Sequence, residues 1–347
     1  MAKLGDIATY INGYAFKPQD WSDEGIPIIR IQDLTGNSYQ ANRYNGEYAS
    51  KYEVNDGDVL ISWSASLGVY IWHGEKAVLN QHIFKVVFDK ERISKDFFVH
   101  QVGLILENAA SDAHGATMKH LTKPVFDALP FYLPPYEKQC EIAEVLDKVT
   151  SLISLRKQQL AKLDELVKVR FVEMFGNKDY PRMKWNNVFN TTTGKLDSNA
   201  AVANGKYPFF TCSKEPLKID SYAFDQTALL LAGNNAAGKY DVKYYQGKFN
   251  AYQRTYVLSL KHNWSYKLFQ YQLEDKLLYL QTKSLGGLTK YLTLKILGEL
   301  NFIVPPLALQ NEFAAFVEHV DEQKQTVQQS LEKLELMKKA LMQEYFG

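Results

Sequence analysis

Beyond Pro134-Pro135 the apolar residues recur at alternating intervals of four and three: Ile142, Leu146, Val149, Ile153, Leu160, Leu163, Val167 and Met174. Arg156 and Arg170 stand at the two positions that would complete the series. The same register returns after Pro305-Pro306 at Phe313, Val317, Val320, Val327, Leu331, Leu334, Leu341 and Tyr345, with Lys324 and Lys338 in the gaps. No proline or glycine interrupts residues 136–175 or 307–346. A narrow heptad stripe sustained over this length is a coiled-coil seam, whereas a helix packed on a globular domain shows a wider apolar face. Each segment is therefore expected to form one helix of about 40 residues, roughly 60 Å long, entered through a proline pair suited to a first turn. Two seams of one register in one chain predict that the helices pair with each other. An antiparallel pair relates the two halves by a pseudo-two-fold axis. The four basic seam residues are expected to set the pairing register rather than to touch a ligand.

Ahead of each helix the pattern changes to short apolar runs separated by glycine, asparagine and serine, which predicts strands. In the first half these are PIIRIQDL (27–34), DVLISW (58–63), IFKVVF (83–88) and FYL (131–133). In the second they are PFFTC (208–212), TALLLA (227–232), TYVLSL (255–260) and FIV (302–304). KDFFVHQVGLILEN (95–108) and YKLFQYQLEDKLLYLQ (266–281) have helical spacing, one helix for each half. The expected class is α+β. Two tandem strand-rich domains, residues 1–135 and 177–305, alternate with two long helices, residues 136–176 and 306–347.

The halves are repeats. Residues 115–176 align without a gap on residues 286–347, and 20 of the 62 positions are identical. They include Lys119/Lys290, Leu121/Leu292, Pro134/Pro305, Pro135/Pro306, Gln139/Gln310, Glu141/Glu312 and the closing Phe-Gly pairs. Weaker echoes lie upstream. DVLISWSASLGVY (58–70) resembles ALLLAGNNAAGKY (228–240), NQH (80–82) sits like YQR (252–254), and KLGDIATYINGY resembles KWNNVFNTTTGK (184–195). A matched back with a divergent front is a common scaffold carrying two specificities.

Composition narrows the class. Forty basic and 39 acidic residues among 347 leave a net charge of +1, which excludes a uniformly basic packaging protein. Residues 1–135 carry 12 basic and 16 acidic side chains, whereas residues 177–305 carry 17 and 9, a net +8 that suits a phosphate-rich partner. No apolar run reaches the roughly 18 residues of a membrane helix, and the opening MAKLGDIATY lacks a signal-peptide core. Cys140 and Cys212 cannot form a disulfide framework or a four-cysteine zinc site. The expected setting is the reducing cytoplasm, away from any membrane.

Two catalytic motifs fail on inspection. GNNAAGKY (233–240) fits G-x-x-x-x-G-K, but Tyr240 replaces the Mg²⁺-binding Ser/Thr, and DVKYYQGKF after it alternates like a strand, whereas a P-loop opens a helix. LPPY (133–136) has Leu133 where an aminomethyltransferase needs an amide or carboxylate, and no G-x-G loop for S-adenosylmethionine is present. The seven histidines show no metal-ligand spacing, so no metal site is expected.

With these residues in place, the chain resembles the specificity subunits of Type I restriction–modification enzymes. The resemblance rests on KLGDIATYINGYAFKPQDW…GIPIIRIQDL, the GDVLIS strand, the NQH step, and the twice-occurring Pro-Pro-x₃-Gln-x-Glu helix entry, and it covers essentially the whole chain. It implies a non-catalytic subunit in which each strand-rich domain reads one half of a split target in double-stranded DNA. The paired helices would set the distance between the halves and dock methyltransferase subunits, two of them. It places S-adenosylmethionine on those subunits, and ATP with Mg²⁺ on motor-nuclease subunits where these are present. A stand-alone two-domain nucleic-acid or protein adaptor fits the same residues and is the alternative.

Loop position and side-chain chemistry single out candidate DNA contacts. In the first half they are Tyr14, Lys17, Arg30, Gln32, Ser62, Ser64, Asn80, Gln81, His82, Thr117 and Lys119. In the second they are Lys195, Thr211, Ser213, Lys214, Asn234, Asn235, Lys239, Gln253, Arg254, Ser284 and Lys290. Arginine, glutamine and asparagine make bidentate base contacts and lysine neutralises phosphate. Lys119 and Lys290, at equivalent repeat positions, are expected to share a phosphate role.

Overall fold

The computed structural model describes residues 1–37, 42–112, 121–176, 178–236 and 238–347. Tyr136–Phe175 and Leu307–Phe346 are single helices of 40 residues. The chain forms two compact units, Met1–Lys157 with Gln329–Gly347, and Gln158–Gln328. Each unit therefore combines a strand-rich half with part of both long helices.

In the first unit Ile142 and Leu146 join the main core, with Leu341, Met342, Tyr345 and Phe346 of the second helix packed against it. Val149 and Leu331 are also buried, while Ile153 and Leu334 are half-buried. Further along, Arg156 Nε donates to Ser330 Oγ at 3.2 Å and Lys157 pairs with Glu335 at 3.1 Å. The late residues of one helix thus meet the early residues of the other segment, so the pairing is antiparallel. The second unit repeats this. Leu163, Val167, Phe313, Val317, Val320 and Val327 form one apolar cluster, with Leu160 at its edge. Asp164 accepts from Lys324 at 2.5 Å, and Arg170 bonds Glu312 at 2.8 Å and Glu173 at 2.9 Å. Arg156, Arg170 and Lys324 thus make polar cross-contacts that a slipped register would lose.

The first unit holds two four-stranded sheets. One runs Thr9–Asn12, Ile83–Val87, Val59–Ser62, Gly68–Ile71, antiparallel throughout. The other runs Arg43–Tyr44, Ile26–Ile29, Ala77–Leu79, Glu53–Val54, with Ile26–Ile29 parallel to Ala77–Leu79. The second unit has one six-stranded sheet, in the order Phe189–Thr193, Thr255–Leu260, Phe224–Ala232, Val242–Ala251, Tyr207–Phe210, Leu217–Ile219. Its long strand Val242–Ala251 pairs antiparallel with Phe224–Ala232 and parallel with Tyr207–Phe210. It does the work that Gly68–Ile71 and Ala77–Leu79 share in the first unit, where residues 72–76 interrupt the strand. Phe97, Phe98, Val102 and Leu106 of the helix Lys95–Asp112 close one sheet face.

Two expectations need correction. Residues 31–34 of PIIRIQDL are a helical turn, not strand, because the Asp33 carboxylate accepts the Arg30 amide at 2.8 Å and turns the chain. The single helix expected over 266–281 is two, Tyr266–Asp275 and Leu277–Lys283. Lys276 closes a tight turn onto the Leu273 carbonyl at 3.1 Å, and the bend lets Leu280 enter the same core as Leu273.

A buried amide fixes each long helix to its unit. Gln139 is 1% exposed; its Oε1 accepts the Ser94 amide at 2.9 Å and its Nε2 donates to the Pro134 carbonyl at 2.9 Å. Gln310, also 1% exposed, accepts the Ser265 amide at 3.0 Å and donates to the Pro305 carbonyl at 2.8 Å. The repeated glutamine of the helix entry is thus a structural clamp. Removing it leaves two backbone groups unpaired at about 1–3 kcal/mol each. Gln139→Ala and Gln310→Ala should each lower stability by about 2–6 kcal/mol in urea unfolding; unchanged midpoints would contradict the clamp.

Candidate nucleic-acid interface

Both units build their candidate loops around a three-residue link. In the first unit, residues 80–82 join Ala77–Leu79 to Ile83–Val87. The Asn80 amide donates to the Ile29 carbonyl at 3.1 Å, Gln81 to Tyr14 at 2.8 Å, Trp63 to His82 at 3.3 Å, and Leu121 to Trp63 at 3.1 Å. In the second unit, residues 252–254 join Val242–Ala251 to Thr255–Leu260. Tyr252 donates to Phe210 at 2.8 Å, Gln253 to Leu196 at 2.9 Å, Gly233 to Arg254 at 2.7 Å, and Leu292 to Gly233 at 2.8 Å. The bonds correspond one for one, so the weak NQH/YQR echo is a true structural equivalence. Glycine makes the closure possible. A Cβ on Gly13 would lie 2.0 Å from the Asn80 carbonyl oxygen, and one on Gly194 only 1.7 Å from that of Ala251.

These bonds bring Tyr14, Asn80, Gln81 and His82 together in the first unit, beside Ser62 and Ser64. The Tyr14 ring is exposed and packs edge-on against Phe16 and Tyr52. His82 holds a left-handed backbone (φ 72°) with its ring against Trp63. Ser62 and Ser64, picked as contacts, are both buried, and the Ser62 hydroxyl donates to the Ser64 carbonyl at 3.2 Å, so they shape the loop from within. Arg30 is half-buried, its guanidinium between Asp33 and the Trp21 ring. Gln32 lies on the helical turn after it, and the Lys17 amide is held by Asp20 at 2.7 Å. Among the described residues no hydrogen bond joins the side chains of Lys17 or Gln32 to the cluster. Thr117 and Lys119 lie outside the described residues.

The second unit is the more complete. Asn234–Asn235 pairs antiparallel with Lys290–Tyr291. The Cys212 thiol donates to Asn234 Oδ1 at 2.8 Å, and burial raises its pKa above the ordinary thiol value. Thr211 is buried, with Oγ1 accepting the Ser213 amide at 3.2 Å, so it too acts inside its loop. Asn235 Oδ1 accepts the Lys239 amide at 3.3 Å, and Ser284 caps the Gln281 carbonyl at 2.8 Å. Gln253 donates to Asp197 at 3.2 Å, while Lys195, Lys214, Lys239 and Arg254 are exposed. The Lys290 ammonium reaches back to the Gly286 carbonyl at 2.8 Å, bracing its own turn. A cleft of about 420 Å³ opens here, lined by Gln253, Arg254 and Gly233 and also by Thr193, Tyr256, Tyr291 and Thr293. These last four were missed by sequence reasoning. Tyr291 had one available signal, its place beside Lys290 in the repeat. The Tyr256 hydroxyl donates to the Leu292 carbonyl at 2.9 Å, and burial raises its pKa.

The segment around Gly233 lacks the strand-loop-helix arrangement of a P-loop. It connects two antiparallel strands, no helix follows it, and the Gly233 amide is spent on Arg254.

One sequence-family model, the Type I restriction modification DNA specificity domain, matches the chain twice, over residues 1–165 and 177–336. The chain belongs to this family. Among its relatives, the Type I restriction enzyme EcoBI specificity subunit of Escherichia coli is 29% identical over 168 residues, 48% of this chain and 35% of that protein. The EcoDI specificity subunit of the same organism is 51% identical over 80 residues, 23% of this chain and 17% of that protein. This chain thus spans about a third or less of the length of these relatives. The crystal structure of a Type-I restriction-modification system S subunit from M. genitalium shares the fold, with a TM-score of 0.62 at 14% identity, covering 99% of this chain and 95% of that one. The two matches fall one on each half of the internal repeat.

Gly13→Ala and Gly194→Ala should each cost about 1–3 kcal/mol or more, as overpacking against a backbone carbonyl does. Gly298→Ala, with nothing within 4 Å, should be neutral or slightly stabilising. Thermal melts that rank the three alike would contradict this account of the links.

Proposed function

We propose that this chain is the DNA-reading subunit of a Type I restriction–modification complex and carries out no reaction itself. Each unit reads one half of a split target in double-stranded DNA. The observation that carries this is the pair of links: one hydrogen-bonded frame presents Asn80-Gln81-His82 in one unit and Tyr252-Gln253-Arg254 in the other. A common frame with different side chains is what reading two different sequences requires, since backbone geometry positions a reader and side chains specify the bases. Exposed Lys195, Lys214 and Lys239, in the half that carries net +8, supply phosphate contacts.

The long helices act as the spacer and as the docking surface for two modification subunits. Outside the seam the first helix exposes Val145, Leu152 and Leu155 in one unit, and Leu166, Val169 and Val172 in the other. Such exposed apolar positions favour a protein partner. The modification subunits bring S-adenosylmethionine and flip and methylate adenine; motor-nuclease subunits, where present, bring ATP and Mg²⁺.

Co-expression with a cognate modification subunit, followed by mapping of methylated adenines, tests this. The expected result is a two-part motif with a fixed unspecified spacer. No complex and no methylation would favour the adaptor alternative, and a contiguous motif would refute the split target. Inserting four residues, about 6 Å, into both long helices should change the spacer; an unchanged spacer would refute the ruler.

A further inference from the structure

We propose that Arg254 reads a guanine in the half-target of the second unit and that Tyr291 holds it in the reading position. The inference rests on the DNA-reading role above and names its chemistry at one site.

Arg254 is exposed at the mouth of the cleft, and its backbone is fixed: the Gly233 amide holds its carbonyl at 2.7 Å, and the two residues before it are bonded to Phe210 and Leu196. Its guanidinium lies over the Tyr291 ring, 5.2 Å from the centroid. Among the described residues no carboxylate pairs with it, whereas Arg30, Arg43 and Arg170 each have one. The nearby Asp197 is taken by Gln253. A guanidinium placed over a ring, with no carboxylate paired to it, keeps N–H donors available for another partner. Those donors form a parallel pair, and the base edge with two adjacent acceptors in the major groove is guanine, O6 with N7. Adenine places a donor beside its acceptor and repels one arm of the fork.

Tyr291 is itself anchored. Its strand pairs with Asn234–Asn235, its amide donates to the Leu285 carbonyl at 2.7 Å, and the next carbonyl accepts the Tyr256 hydroxyl. The stack therefore sets Arg254 in place before DNA arrives, which lowers the entropy lost on binding. The equivalent link of the first unit ends in His82, so this arginine contact has no counterpart at that position.

The test is the methylation motif of the assembled complex carrying wild-type chain, Arg254→Gln, Tyr291→Phe or Tyr291→Ala. The wild-type motif should contain a required guanine in the half that belongs to the second unit. Arg254→Gln should lower selectivity for it by about 5- to 150-fold, the discrimination of one bidentate pair, and leave the first half unchanged. Tyr291→Phe should keep that selectivity, and Tyr291→Ala should lower the guanine preference more than the overall methylation rate. A split wild-type motif whose second half requires no guanine, or is read equally well by Arg254→Gln, would overturn this inference and leave the DNA-reading role standing. A wild type with no split motif would overturn both.

Discussion

Two buried glutamine amides, Gln139 and Gln310, decide where everything else in their units sits. Each completes two hydrogen bonds that no water could supply in the core, one to the start of a packed helix and one to the proline pair that opens the long helix. Fixing the first turn fixes where the long helix leaves its proline pair. It also explains a sequence detail. The proline pair must be followed by glutamine at a set distance because only a side chain with both a donor and an acceptor can bridge an amide and a carbonyl at once.

Above this clamp the two units use the same economy twice. Backbone hydrogen bonds stitch the links at 80–82 and 252–254 to three neighbouring segments each, and the Gln253 side chain adds a bond to Asp197. Backbone stitching leaves the side chains free to differ, and they do differ, as does the charge of the two halves. A unit of this kind can change its exposed side chains without changing how it folds. Ser62, Ser64 and Thr211 show the limit of that freedom, because their polar groups are consumed inside the loops that present their neighbours.

Much of this was legible in the sequence, for physical reasons. The heptad seam was visible because burying one narrow stripe imposes a period on 40 residues at a time. The central strands were visible because their runs are apolar and bounded by turn residues. The equivalence of Gly13 and Gly194 was present in a weak alignment, although its cause, a carbonyl within 2 Å of a would-be Cβ, was not. The turn at 31–34 was missed because a single carboxylate, Asp33, outweighed a β-type run. The break at Lys276 was missed because a helical period does not record where a core ends. Tyr256 and Tyr291 went unnoticed because a tyrosine in a strand reads as core until its neighbours across the sheet are known. The burial of Ser62, Ser64 and Thr211 was not legible, since residue type does not tell whether a loop folds its own polar side chain inward.

In the proposed function each unit reads its own half of a split target. The most direct test is to replace residues 1–135 with the matching segment of another member of the family and to map the methylated adenines of the resulting complex. One half of the motif should change while the other half, assigned to the second unit, is kept. A motif altered in both halves, or in neither, would contradict this reading.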